Sequence, residues 1–251
     1  MKKINITVWD EAEGAIGPYP NGIYTAIVDF FDKSDFFGTV RVALLPQPMH
    51  GLADEVLNDT DVLIWWGHKY HDKVDDAIVE KVRKKVMEGM GLIVLHSGHA
   101  SKIFSRLLGT ETGQLRWREA GELERVWKIE ANHPITQGLP DYFDIPESEM
   151  YGEHFCIPAP DELLFISWHE GGEIFRSGCT FTRGCGKIFY FAPGHETYPI
   201  FNMPEVQQII INAAKWAAPL HTETPATGNQ KVSPEALRKQ QAALSQTEGG
   251  E

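Results

Sequence analysis

Histidine recurs in this chain where short apolar runs end. The run 62–66 is followed by Gly67 and His68, with His71 three residues further on. The run 92–95 delivers His96, Ser97, Gly98 and His99, and 187–191 leads through Gly194 to His195 and Glu196. A first run, 4–9, ends on Asp10 and Glu11. Imidazole does two kinds of work near neutral pH: it ligates zinc or another borderline divalent ion through a bare nitrogen, or it moves protons as a general acid or base. One histidine at a loop is an ordinary polar residue, whereas three at the ends of neighbouring strands would share one edge. His68, His96 and His195 are therefore the candidate metal set, and His96 and His195 the candidate catalytic pair. Ligands drawn from separate strands leave no local signature, and neither HExxH nor CxxC spacing occurs. His71 and His99 read as first residues of following helices that face solvent.

A second polar concentration mixes aromatics with charge. Trp117, Arg118 and Glu119 form one part, and Glu149, Met150, Tyr151, Gly152, Glu153, His154 and Phe155 the other. Aromatic faces beside carboxylates and a guanidinium suit sugar hydroxyls. Glu153, with His154 as second choice, is the expected proton-transfer partner. Trp66, Trp117, Arg118, Tyr151 and Glu196 are expected to bind substrate. For Arg118 and Glu119 a plain exposed strand with alternating faces explains the pattern nearly as well. Trp168, His169, Glu170 and Arg176 either close the same cleft or stay solvated beside the Gly171-Gly172 turn. No phosphate loop of the GxGxxG or GxxxxGK[ST] kind is present, so no nucleotide cofactor is expected. Ser97, in the turn after 92–96, leaves a serine hydrolase open, although the GxSxG elbow is missing.

The elements that must hold these residues are those of an α/β domain. Apolar runs alternate with helix-compatible segments, the pattern of βαβ units and a parallel sheet. The segment 73–88 places Val74, Ala77, Ile78, Val82 and Val86 near a 3.6 period and stops at Gly89 and Gly91. Runs at 123–130, 163–168, 173–176 and 187–191 are joined by turns, so part of the sheet is expected to be antiparallel. The segment 205–216 makes a last helix, and the domain is expected to span 1–219. Residues 220–251 read as a polar linker followed by a short helix from Ser233 to about Leu244, too poor in apolar residues to stand alone and suited to packing on a neighbouring subunit. A homo-oligomer is the corresponding expectation.

Composition narrows the function classes. Apolar residues make 42% and charged residues 23% of 251, an ordinary globular balance. Lys plus Arg number 23 against 35 Asp plus Glu, and a formal charge of −12 disfavours nucleic acid and anionic membranes as partners. No apolar run is long enough to span a bilayer, and no signal peptide is read at the start. Three cysteines without paired spacing suit a reducing cytoplasm.

Four segments carry a resemblance: Trp65-Trp66-Gly67-His68, Leu95-His96-Ser97-Gly98-His99, Glu149-Met150-Tyr151-Gly152-Glu153-His154 and Pro193-Gly194-His195-Glu196-Thr197-Tyr198-Pro199. In order and spacing, over roughly residues 3–219, the chain resembles the ThuA-like, or trehalose utilisation, family. The resemblance implies a flavodoxin-like, class I glutamine amidotransferase-like three-layer sandwich with a mostly parallel central sheet. It also implies a role in bacterial disaccharide or modified-sugar catabolism. Amidotransferases of that superfamily keep a nucleophilic cysteine in the strand-to-helix elbow, followed by Gly-His, and later a His-x-Glu pair. His96 stands at the cysteine's place, Gly98-His99 resembles the Gly-His, and His195-Glu196 lacks the intervening residue, so glutaminase chemistry is not expected. The expectation is an enzyme, a hydrolase, lyase or isomerase of a disaccharide or keto-sugar derivative, with zinc as the first candidate ion. The alternatives are a non-catalytic sugar-binding or regulatory subunit and a Ser97-dependent hydrolase.

Overall fold

The computed structural model of the chain describes residues 3–219, 228–229 and 231–247. Its contacts divide into two units, Met1–Leu220 and His221–Glu251. The expected linker, 220–230, lies almost wholly outside the described residues. Among its described residues the second unit has one helix, Pro234–Thr247, which we call α6 below, and Ser233 accepts a hydrogen bond from Ala236 N at its start.

The first unit is an α/β fold around one mixed sheet of nine strands. In chain order its elements are β1 (Ile4–Asp10), α1 (Ile23–Asp32), β2 (Phe37–Leu44), α2 (Asp54–Asn58), β3 (Val62–Trp66), α3 (Asp76–Glu88), β4 (Gly91–Leu95), α4 (Lys102–Leu108), β5 (Arg116–Lys128), β6 (Tyr142–Gly152), β7 (Glu162–His169), β8 (Ile174–Arg183), β9 (Gly186–Phe191) and α5 (Pro204–Ala217). The helix numbered last above, Pro234–Thr247, follows as α6. The sheet order is β2-β1-β3-β4-β9-β8-β7-β5-β6. Pairing is parallel from β2 to β9 and antiparallel from β9 to β6, so half of the strand pairings run against the mostly parallel expectation. Short connections such as Gly184-Cys185 permit only antiparallel neighbours, which is why the second half of the chain changes direction.

The central strands are apolar throughout because both of their faces are covered. Val8, Ile64, Trp66, Ile93 and Phe191 pack with α1 and α5 on one side. Trp9, Leu63, Trp65, Val94 and Tyr190 pack with α2, α3 and α4 on the other. Trp9 and Trp65, paired in register on β1 and β3, stack with ring centroids 3.6 Å apart. Gly91 at the start of β4 is required by close packing: a Cβ there would lie 2.6 Å from the Ala217 carbonyl oxygen. Helix α3 ends on Gly89 at φ +127°, whose N–H turns back to the carbonyls of the last turn, as the spacing of Gly89 and Gly91 predicts. Among the described residues no helix is long and apolar enough to cross a membrane.

Strand β5 is longer than the sheet can use. Its second part, Glu124 to Trp127, pairs with both β6 and β7, while Arg116 to Glu122 pairs with β6 alone. The register slips between Glu119 and Glu124, with Gly121 at φ +63°. Bulges of this kind bend a strand. The first part of β5 and the last part of β6 thus leave the sheet as a two-stranded ribbon.

Candidate functional site

The ribbon and the carboxyl ends of the parallel strands enclose a cavity of about 310 Å³. Such strand ends are where open α/β sheets collect ligands. Residues from both sources line it: His68, Ser97 and His195 from the strand ends, and Trp117, Glu119, Glu149 and Tyr151 from the ribbon. The period of two along each ribbon strand explains the choice. Trp117 and Glu119 face the cavity, and so do their register partners Tyr151 and Glu149.

His96 occupies the turn after β4 with φ +48°, a left-handed conformation that few non-glycine residues adopt. Strain of this kind is held only where surroundings fix it. Here the ring is fixed on three sides. Its Nδ1 lies 2.8 Å from the carbonyl oxygen of Ala192, which can only accept, so Nδ1 carries the hydrogen. The Tyr151 ring stacks on it at 5.0 Å and 6°, and Gly194, at φ +152°, passes so close that a Cβ there would lie 3.1 Å from the His96 Cβ. The free nitrogen, Nε2, is 3.1 Å from Glu149 Oε2 and 3.3 Å from the Tyr151 hydroxyl.

His195 meets His96 edge to face at 5.3 Å. Its Nδ1 accepts from the backbone N–H of Thr197 at 3.1 Å. Its Nε2 lies 3.6 Å from Glu196 Oε2, 3.8 Å from Glu119 Oε1 and 3.9 Å from Glu149 Oε2. Burial and the neighbouring His96 push its pKa down to about 4, so the ring is neutral at pH 7. Burial raises the Glu149 carboxyl, and the hydrogen bond and charge of His96 with His195 pull it further the other way, leaving it below its ordinary value. His96, Glu149 and His195 each offer a ligand atom within 4.8 Å of the others, a spacing one cation can satisfy.

His68 joins the same wall one step out. Both oxygens of Glu13 lie 3.2 Å from its Nδ1, and Glu196 Oε1 lies 3.1 Å from its Nε2. Glu196 therefore stands between His68 and His195. His71 also lines the cavity, with Nδ1 3.8 Å from Glu11. His99 is buried rather than solvent-facing: its Nδ1 donates to Thr112 O at 3.1 Å, and burial pushes its pKa down to about 3.

The remaining expected residues take other positions. Glu153 is tied to Arg176 at 2.8 and 2.9 Å and accepts from Phe155 N and Arg176 N, outside the cavity lining. His154 is exposed and does not line the cavity. Arg118, on the opposite face of β5 from Trp117, pairs with Glu122 and Glu173. Trp66 is buried below the site, its Nε1 donating to Gly194 O at 3.2 Å. Ser97 donates its hydroxyl hydrogen to Gly67 O at 2.8 Å. The sequence places Glu119 and Glu149 in the second polar concentration without giving either a role, and it does not point to Glu13; the pairing of Trp117 and Glu119 with Tyr151 and Glu149 at equal two-residue spacing is the signal that separates the two glutamates from their neighbours.

Among the described residues the cavity wall holds two glutamates and no lysine or arginine. It is a place for neutral or cationic groups. A family model described as ThuA, trehalose utilisation, matches residues 5–217. No curated protein matches the chain. Among solved structures, a ThuA-like protein from Parabacteroides merdae is 14% identical, covering 93% of this chain and 96% of its own, with a TM-score of 0.68. A cytoplasmic protein from Salmonella typhimurium is 14% identical over 85% and 99%, at 0.57. A cold-adapted β-galactosidase from Rahnella sp. R3 is 13% identical over 86% of this chain and 31% of its own, at 0.55. At these identities the likeness is one of fold.

Proposed function

Because the chain belongs to the trehalose utilisation (ThuA) family, we propose that it is a cytoplasmic carbohydrate-catabolism enzyme acting on a disaccharide or keto-sugar derivative. The observation that carries this reading is the meeting of His96 Nε2 and Glu149 Oε2, 3.1 Å apart, at the wall of a cavity with Trp117 and Tyr151 on it. Aromatic faces take the apolar faces of sugar rings, and carboxylates take hydroxyl hydrogens. The parallel half of the sheet, with helices on both faces, fits the flavodoxin-like, class I glutamine amidotransferase-like class. In that setting His96, in place of a thiol, turns the elbow to acid–base or metal chemistry.

The site fits a divalent cation, with zinc first by donor chemistry. His96 Nε2 and Glu149 Oε2 face each other at the distance of one shared proton, and once that proton leaves, the two acceptors can be satisfied by a cation in its place. The donors that face each other for it are His96 and Glu149, with His195 and His68 beside them. When bound, such an ion polarises a carbonyl or hydroxyl oxygen. The protein's own groups orient the sugar against the exposed Trp117 ring and hold or accept its protons at Glu149 and His96.

The test is a panel of keto-disaccharides and their parent sugars incubated with zinc-loaded protein, read by product analysis. New products that vanish in Glu149→Gln and persist in His154→Ala support the reading. Sugar affinity without products assigns a binding or regulatory subunit instead. We place the assembly as a homo-oligomer on the same footing: Leu237 on α6 is 47% exposed, and truncation after Pro219 should lower the mass in light scattering by more than the tail itself.

A further inference from the structure

One backbone hydrogen bond decides what His195 can do. Thr197 N–H donates to Nδ1 at 3.1 Å. An N–H donates only to a bare nitrogen, and a neutral imidazole has one bare nitrogen and one N–H. The hydrogen of His195 is therefore on Nε2. Placing a second hydrogen on Nδ1 would set two donors against each other. His96 is held the other way round: the Ala192 carbonyl takes its Nδ1–H, which leaves Nε2 to share a proton with Glu149 or, once that proton leaves, to present a lone pair. Two rings that meet at 5.3 Å thus offer the cavity different things, a hydrogen from His195 and a lone pair from His96.

We propose that His195 is a hydrogen-bond donor to substrate through Nε2–H, and that His96 and Glu149, not His195, supply the lone pairs that hold a cation. The identity of the acceptor rests on the sugar-enzyme reading above; the tautomer does not. The carboxylate oxygens nearest Nε2, on Glu196, Glu119 and Glu149, stand at 3.6 to 3.9 Å, beyond ordinary hydrogen-bond range. The N–H is thus available to a ligand oxygen ringed by carboxylates. A phosphate or carboxylate group is repelled there. A hydroxyl accepts from Nε2–H and donates to Glu119 or Glu149 in the same position, and a carbonyl accepts from Nε2–H alone. The recognised group is a neutral sugar hydroxyl or ketone, and a neutral imidazole polarises it as a fixed donor.

Long-range ¹⁵N–¹H NMR of the histidine-labelled full chain, with neither sugar nor metal present, reads both tautomers. The expected result is hydrogen on Nε2 of His195 and on Nδ1 of His96; a bare Nε2 on His195 overturns the proposal. Zinc(II) added alone should shift the His96 nitrogens and leave the His195 Nε2 hydrogen in place, and zinc-bound Nε2 on His195 overturns it equally. Should zinc not bind, the tautomers alone decide. His195→Gln, which carries an amide N–H to about the Nε2 position, should keep the zinc stoichiometry that His96→Ala loses; equal loss in both counts against the proposal. On any sugar that is turned over, His195→Ala should lower kcat by ~100-fold and His195→Gln by less. If no sugar is turned over, the sugar-enzyme reading fails while the tautomer result stands.

Discussion

The imidazole of His96 follows β4, in the middle of the sheet order, and the carboxylate of Glu149 lies on β6 at its edge, yet their polar atoms are 3.1 Å apart. The contact exists because the β5–β6 ribbon bends at the bulges between Glu119 and Glu124 and carries Glu149 back to the end of β4. Glu149→Gln keeps the shape and removes the charge. We expect kcat to fall by about 100-fold or more with the melting temperature nearly unchanged, since the carboxylate is held for chemistry. Unchanged turnover in steady-state kinetics would remove Glu149 from the site.

Gly194 supports the strained turn of His96. A Cβ at this position would come 2.8 Å from Phe201 Cζ and 3.1 Å from His96 Cβ, at a φ that side chains avoid. Gly194→Ala should therefore displace His96, lowering turnover and costing on the order of 1–3 kcal/mol of stability. Wild-type kinetics for this variant would mean the turn has more room than its packing implies.

Glu153 has a structural task. Burial raises its carboxyl, and Arg176 with two backbone N–H groups lowers it further, so its net shift is downward from 4.5. With a folded value below the unfolded one, its contribution is complete above about pH 4.5 and is lost as pH falls through the depressed value. Glu153→Ala leaves the half-buried Arg176 unpaired and should cost ~1–3 kcal/mol in urea denaturation at pH 7, a loss that shrinks in acid. Equal losses at pH 7 and pH 3 would contradict this sign.

Asp10, at the end of β1, has the opposite sign. Burial raises its pKa from 3.8 to about 7, against the hydrogen bond from Ala12 N at 2.6 Å. The native state therefore holds a proton that the unfolded chain releases above pH 3.8, and stability declines as pH rises from there to about 7. Asp10→Asn should stabilise the protein by on the order of 2 kcal/mol at pH 8 and have little effect at pH 4. A uniform effect across that range would show that the carboxyl is not the titrating group.

Ser97 gives its hydroxyl hydrogen to the Gly67 carbonyl, and no histidine stands within hydrogen-bond distance of it among the described residues. A fluorophosphonate probe should leave the protein unlabelled. Stoichiometric labelling lost in Ser97→Ala would restore the serine hydrolase.

The strand-end histidines were legible because parallel strands force their following loops to one edge, so His68, His96 and His195 had to be neighbours wherever 62–66, 92–95 and 187–191 formed adjacent strands. The neighbourhood of Glu149 was not legible in the same way. Its approach depends on bulges spread over Glu119 to Glu124, and a bulge changes register without changing the hydrophobic pattern. Glu153 illustrates the reverse error. The mix of charge and aromatics over 149–155 points to chemistry, but Arg176, 23 residues later on β8, answers the Glu153 charge. Glu149 and Tyr151 share the cavity-facing side of β6, and two-residue alternation was the signal that separated them from their neighbours.

The position of β9 has a consequence for how the protein is made. Among the described residues it is the last strand in chain order, and it lies between β4 and β8 in the middle of the sheet. Until residue 191 has left the ribosome, β4 and β8 are two raw edges, and the parallel and antiparallel halves have no hydrogen-bonded strand between them. Assembly of the sheet therefore ends with the insertion of a keystone. A nascent chain stalled before that point exposes both edges at once, and holding such edges apart is work for a chaperone.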